Sequence, residues 1–439
     1  MKKFISAVSN IFAIEELRTR IVTTLFLLII FRLGSFVVLP GVNPEALQSH
    51  DEGIFGLLNT FLGGSFSRAS IFGLGIMPYI SASIVLQLLT VAVPYFQKMQ
   101  KEGESGRNKI NQITRLLTIV ITIAQGASYI AGTIPKEAVV IDRALFTGTA
   151  VVILTAGTLF CMWIGERITE KGIGNGISML IMIGIISRLP GALLGEFVSQ
   201  GMAGMLFVVL ELVILFFIVM GVVMLTQATR RIPVQYAKQI AGSKVYGGRR
   251  QYIPMKVNAA GVMPIIFAQS LMFIPAMIAQ FWQDQSDIAQ SVGQTFSDFT
   301  SWQYNLVFAL LIIVFTFFYT AITINPNQIA DDLKRNGGFI PGVKPGKMTS
   351  EYIDTVLSRI TLPGSVFLAI VAILPAFASL AGVSREFSSF FGGTSLLIMV
   401  GVVLDTLQQV ESYLLMRHYE GLMKSGKIKG GSSENVVLT

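Results

Sequence analysis

Charge is scarce in this chain. Asp, Glu, Lys and Arg make up 13% of its 439 residues, against roughly 25% in an average soluble domain. So few solvated groups cannot coat a water-facing globule, which excludes an ordinary soluble enzyme. Cysteine occurs once, at Cys161 inside an apolar run, so no internal disulfide exists and a buried small side chain is expected. Histidine occurs twice, at His50 and His418, neither in an apolar run. With no HExxH, no Cys/His cluster and no Ser–His pair, the chain offers no metal or nucleophilic set. GVKPGKM from Gly342 lacks the Ser/Thr that follows GK in a phosphate loop, and GIGNGIS at 172–178 lacks the strand that precedes a dinucleotide loop. No cofactor is expected, and any energy source must be a partner.

What the chain does have is apolar length. Apolar residues make up 52% of it and its mean hydropathy is +0.66, the signature of an integral membrane protein. Met1 to Arg20 has no long apolar centre, so the first span is expected to act as its own targeting signal. With about 20 residues per crossing, ten spans are expected. The first follows Arg20, with Arg32 near its outer end where it can snorkel. The others fall near 79–93, 113–131, 144–164, 177–194, 205–227, 259–281, 305–324, 362–380 and 395–415. Lys and Arg concentrate in every second connection, while the opposite set holds only Arg68, Lys136, Arg143, Arg188 and Arg385. Because cytoplasmic loops retain basic residues, both termini are expected in the cytoplasm.

Gly53 to Pro94 breaks this rhythm. It is too long for one crossing, and its first half carries Asn59, Gly63, Gly64, Ser65, Ser67, Arg68 and Ser70. Irregular polar backbone at membrane depth survives only where protein buries it or a wet cavity borders it, so the stretch implies a cavity.

Two connections, about 229–258 and 325–359, are longer than ordinary helix links. RRIPVQYAK and GGRRQYIP in the first predict a projecting hairpin. Both loops are basic and turn-rich, suiting an RNA-containing or acidic partner. Ionisable residues within spans are few: Glu211 and Asp405 are the candidates, and they motivate a rival reading as a proton-coupled transporter. Uncharged polar residues recur instead: Ser81, Ser83, Gln87 and Thr90 in the second span, Gln125 in the third, Asn258 at the mouth of the seventh. Such groups join helices by weak, reversible hydrogen bonds. Pro264 and Pro275 in the seventh span loosen its backbone, so these residues read as a seam able to part.

Six strings then become specific: SRASIFGLGIMPYISASIVLQLLTV, KEGESGRNKI, GERITEKGIGNGIS, KVNAAGVMPIIFAQS, FYTAITINPNQIADDLKRNGGFIPGVKPG and FGGTSLLIMVGVVLD. In content, order and spacing the chain resembles the bacterial SecY family, channel subunits of the Sec protein translocon, nearly end to end. The resemblance implies an all-α polytopic fold of ten transmembrane helices in two pseudo-symmetric inverted halves, residues 1–200 and 201–420, with a cytoplasmic tail at 421–439. It implies a protein-conducting channel of the bacterial cytoplasmic membrane. That channel passes unfolded polypeptides across and releases transmembrane segments sideways into lipid.

Carried over by motif, the pore ring falls on Ile80, Ile84, Ile177, Ile181, Ile266 and Ile398. A re-entrant plug helix at about 56–72 includes Leu57, Phe61, Gly63, Gly64, Phe66 and Arg68. The lateral gate, between spans two and three and spans seven and eight, includes Gln87, Thr90, Gln125, Asn258 and Ser270. SecA and the ribosome dock on Arg230, Arg231, Lys238, Arg249 and Arg250 of the first loop and Lys334, Arg335 and Lys344 of the second. Further implied partners are SecE-like and SecG-like small subunits, signal sequences, nascent chains and membrane lipids. One departure stands out: Lys344 occupies GVKPG where the family pattern has arginine, exchanging a planar fork for a point charge.

Overall fold

A computed structural model describes residues 14–47, 59, 62–201, 204–236, 239–241, 244–246, 250–282, 295 and 298–424. Its elements in chain order begin with helices α1 Glu15–Gly34, α2 Met77–Ala92, α3 Pro94–Lys101, α4 Glu104–Thr133, α5 Arg143–Lys171, α6 Gly176–Gln200 and α7 Met205–Gln227. Four strands follow, β1 Thr229–Tyr236, β2 Gln239–Ala241, β3 Lys244–Tyr246 and β4 Arg250–Lys256. Then come α8 Met263–Trp282, α9 Trp302–Thr323, α10 Pro326–Arg335, β5 Gly338–Phe339, α11 Lys347–Leu380, α12 Arg385–Ser388 and α13 Gly393–Lys424.

Among the described residues seven helices are long and apolar enough to cross a membrane, and α2 with α3 makes an eighth, bent by 102°. α1 and α8 stand where the first and seventh spans are expected. The bend has a local cause: Val93 is extended (φ −111°, ψ 119°) ahead of Pro94, the conformation that a following proline imposes. Spans three, five, nine and ten are longer than their apolar runs. α11 begins at Lys347, inside the stretch expected to be loop, and carries Pro363 and Pro375 within its length.

Helices α2, α4, α5 and α6 pack in successive pairs with α1 against α5 and α6, and α8, α9, α11 and α13 do likewise with α7 against α13 and α11. The two groups meet where α2 touches α8 and where α6 touches α7, α12 and α13. At the second junction Glu196 is fully buried; its carboxylate accepts from Gln200 Nε2 at 3.0 Å and from the Ser384 backbone N–H at 2.9 Å.

The fold is not purely helical. β1 pairs antiparallel with β4, Ile232 opposite Ile253, and also with β5, Gln235 opposite Phe339. The hairpin expected in the first long connection is present, but the two connections are not separate projections. Ile232, Val234, Met255, Leu333, Ile340, Ile353 and Leu357 form one buried cluster drawn from both, so they fold together as a single platform.

Candidate functional site

The central feature is a cavity walled by Ile80 of α2, Ile181 of α6, Ile266 of α8 and Ile398 of α13. These side chains are 1–7% exposed. Phe31, Ile76, Met77, Leu180, Gln269 and Ser270 complete the wall, and Leu62 of the broken segment reaches it. Of the six expected ring residues, four share this wall. Ile84 lies one turn beyond Ile80 and is buried in the surrounding core, and Ile177 packs half-buried against that core.

Close helix contacts set these side chains in place. α6 is started by Asn175, whose Oδ1 accepts from the backbone N–H groups of Ile177 and Ser178, a standard N-cap. A Cβ on Gly176 would stand 1.9 Å from the carbonyl oxygen of Gly165, so only glycine lets α6 sit this close to α5. That approach fixes the height at which Ile181 enters the wall.

The broken segment is helical at residue 59 and a chain of turns over 62–69; Leu57 and Phe61 lie outside the described residues. Gly63 and Gly64 have φ of +62° and +84°, the left-handed region that glycine enters without steric cost. The turns are held at three points. Tyr129 Oη of α4 donates to the Phe66 carbonyl at 2.6 Å, with the two rings 4.7 Å apart. Arg68 donates to the carbonyls of Gly64 and Gly63 at 2.9 and 2.8 Å. Arg32 of α1 does not snorkel: its Nη1 donates to the Gly63 carbonyl at 2.8 Å. Both guanidiniums also lie over the Phe36 ring, at 4.9 and 4.3 Å.

The expected seam is where α2 meets α8, with α4 beside α2 and α9 beside α8. Its polar residues are not joined across it in this conformation. Gln87 Nε2 donates to Ser83 Oγ at 3.4 Å, Thr90 Oγ1 to the Gln87 carbonyl and Ser270 Oγ to the Ile266 carbonyl, each within its own helix. Gln125 is half-buried, and Asn258 is 7% exposed with Oδ1 unpartnered among the described residues. The bonds these residues were expected to offer between helices are made within them, since a helical hydroxyl finds a carbonyl of its own preceding turn.

On the platform, Arg230, Arg231, Lys334, Arg335 and Lys344 are exposed and make no ion pair with a described carboxylate. Gly342 and Gly346, with φ of +85° and +99°, bracket the turn that presents Lys344. Thr349 Oγ1 ties that turn to the start of α11 by donating to the Lys344 carbonyl. Arg250 begins β4; Lys238 and Arg249 lie outside the described residues. Glu211 is half-buried on α7 and Asp405 exposed on α13, and neither lines the central cavity.

Sequence reasoning missed Leu62, Ile76, Leu180 and Gln269. The signal for Ile76 was present, since it lies one turn before Ile80 and at helical spacing shares its face.

Fold and site together define a polytopic helical membrane protein with an apolar constriction capped by a re-entrant segment. Comparison with known proteins is specific. The SecY family profile matches residues 70–407. Protein translocase subunit SecY of Streptomyces coelicolor is 43% identical over 438 residues, covering 96% of this chain and 100% of that protein. Its counterpart in Bacillus licheniformis is 45% identical over 430 residues, covering 95% and 99%. A solved protein conducting channel shares the fold at a TM-score of 0.66 with 16% identity, over 90% of this chain and 92% of that one. The chain belongs to the SecY family.

Proposed function

We propose that the chain is the protein-conducting subunit of a bacterial translocase. It passes unfolded polypeptides across the cytoplasmic membrane and releases apolar segments sideways between α2 and α8. The observation that supports this most is the cavity walled by Ile80, Ile181, Ile266 and Ile398, with Leu62 against it. An apolar constriction excludes ions by dewetting, yet offers a sliding chain no hydrogen bond or charge to hold it. The turns at 62–69 are the plug; Arg68 braces them from within, and ties to Tyr129 and Arg32 hold them in the outer funnel.

Both termini face the cytoplasm, where the platform projects. Its exposed cations dock the motor SecA or the ribosome, which supply the driving energy, and SecE-like and SecG-like subunits complete the complex. Signal sequences open the seam by binding the parted state better than the closed one. A solute transporter is disfavoured because Glu211 and Asp405 stand away from the cavity. The test is accumulation of a secretory precursor in proteoliposomes: precursor driven inward by the motor and ATP is expected, and solute uptake without precursor transport contradicts the reading.

A further inference from the structure

Behind the gate helix α8 lies a second cavity, between α8, α9, α11 and the start of α13, with room for one or two water molecules. Its polar lining includes Gln269, Tyr304, Asn305, Thr394 and Ser395, and no charged side chain borders it among the described residues. Tyr304 is 2% exposed, and its hydroxyl faces the Gln269 side chain without a well-aligned hydrogen bond to it or to any other described residue. Gln269, Thr394 and Ser395 are likewise 2–6% exposed. Asn305 spends its amide donors on the carbonyls of Phe299 and Ser301, leaving its oxygen as an acceptor.

Buried donors and acceptors gathered around empty space are costly unless satisfied, about 1–3 kcal/mol each. The Tyr304 hydroxyl is one such group, and a polar cavity satisfies it with bound water, each molecule needing two to four partners. Gln269 also lines the central cavity. It is therefore the wall between an apolar passage on one side of α8 and a polar chamber on the other.

We propose that this chamber is a binding site for one or two water molecules, and that Gln269 couples it to the gate. With the seam closed, the Gln269 amide shares the chamber's waters with Tyr304. When α8 swings, the amide turns toward the passing chain and the waters remain to satisfy Tyr304, Thr394 and Ser395. The helix thus moves without stranding a buried polar group. The chamber itself stands independently of the channel function, whereas the role of Gln269 rests on the gate reading above.

The test uses thiol reactivity, since only a hydrated thiol ionises and attacks a hydrophilic methanethiosulfonate. In full-length protein carrying Cys161→Ala, cysteines replace Ala372 or Ala376, which line the chamber. Controls replace Leu368, buried on the same helix, and Ile370, exposed on its outer face. In proteoliposomes, 2-aminoethyl methanethiosulfonate should modify A372C and A376C about 100-fold faster than L368C and I370C, because the thiolate is the reacting form. Chamber cysteines as slow as the controls would overturn the hydrated site. A stalled precursor, its insertion confirmed by protease protection, should change the A376C rate several-fold in the parent but not with Gln269→Leu. An equal change in both would overturn the part given to Gln269. Failure of precursor insertion would instead contradict the channel reading and leave the labelling result standing.

Discussion

Gly63 concentrates the plug's restraints at one residue. Its carbonyl accepts from both Arg32 and Arg68, its φ is +62°, and a Cβ there would meet Ser187 Oγ at 2.9 Å and the Gly184 Cα at 3.0 Å. Gly63→Val adds left-handed strain of about 1–3 kcal/mol and steric pressure to the plugged state alone. Ion leak through the idle channel should rise about tenfold or more, measured as chloride efflux from proteoliposomes; unchanged efflux would show that this contact does not hold the plug. Tyr129→Phe removes one of two donors to the Phe66 carbonyl, which keeps the Ala69 backbone N–H, a loss of about 0.5–1.5 kcal/mol, and should raise leak in the same assay. Ile398→Asn puts an amide at a wall position that is 1% exposed; it should wet the constriction and admit precursors with weaker signal sequences. At this scale the sequence was partly legible. Isoleucines at one-turn spacing could be ordinary core by periodicity alone, and the resemblance gave them a place in a ring. The inward turn of Arg32 was not legible, because a snorkelling guanidinium and one that seeks a carbonyl at position 63 look alike in sequence.

Among elements, the platform departs most from what its two loops predict separately. Alternation and turn residues revealed the β1–β4 hairpin, but β5 has only two residues, Gly338 and Phe339, too few to carry a pattern. Its partner is almost exactly a hundred residues away, so no local signal joins the loops. The shared core makes a prediction that two independent loops would not. Leu333→Ala, at a 7% exposed position in that core, should cost about 2–5 kcal/mol of local stability. It should weaken docking at Arg230 and Arg231 on the other loop, read by co-sedimentation with ribosomes, while ion leak stays at the parent level. Docking loss confined to contacts at Lys334 and Lys344 would argue that the loops act separately. The plug was legible as an irregular polar stretch; its described residues are helical at 59 and a chain of turns over 62–69, where two adjacent glycines take positive φ.

For the whole molecule, apolar periodicity and the distribution of basic residues were enough to indicate a polytopic bundle, and the motifs to indicate its family. The arrangement of helices was not readable from apolar periodicity, because lipid-facing and core-facing residues are equally apolar; only the resemblance implied it. α7 illustrates this: its mean hydropathy is 3.1 over the apolar window, yet 11% of that window is buried. What the assembled bundle adds is convergence, since four helices far apart in sequence each deliver one isoleucine to the same cavity. The central claim is that a polypeptide passes through this point. Photoreactive residues placed at Ile266 and Ile398, with a stalled secretory precursor engaged by the motor, measure it directly. Precursor should label from both positions, and a lipid-facing control at Phe216 should not label. Precursor that is transported yet never labels from Ile266 or Ile398 would contradict the account.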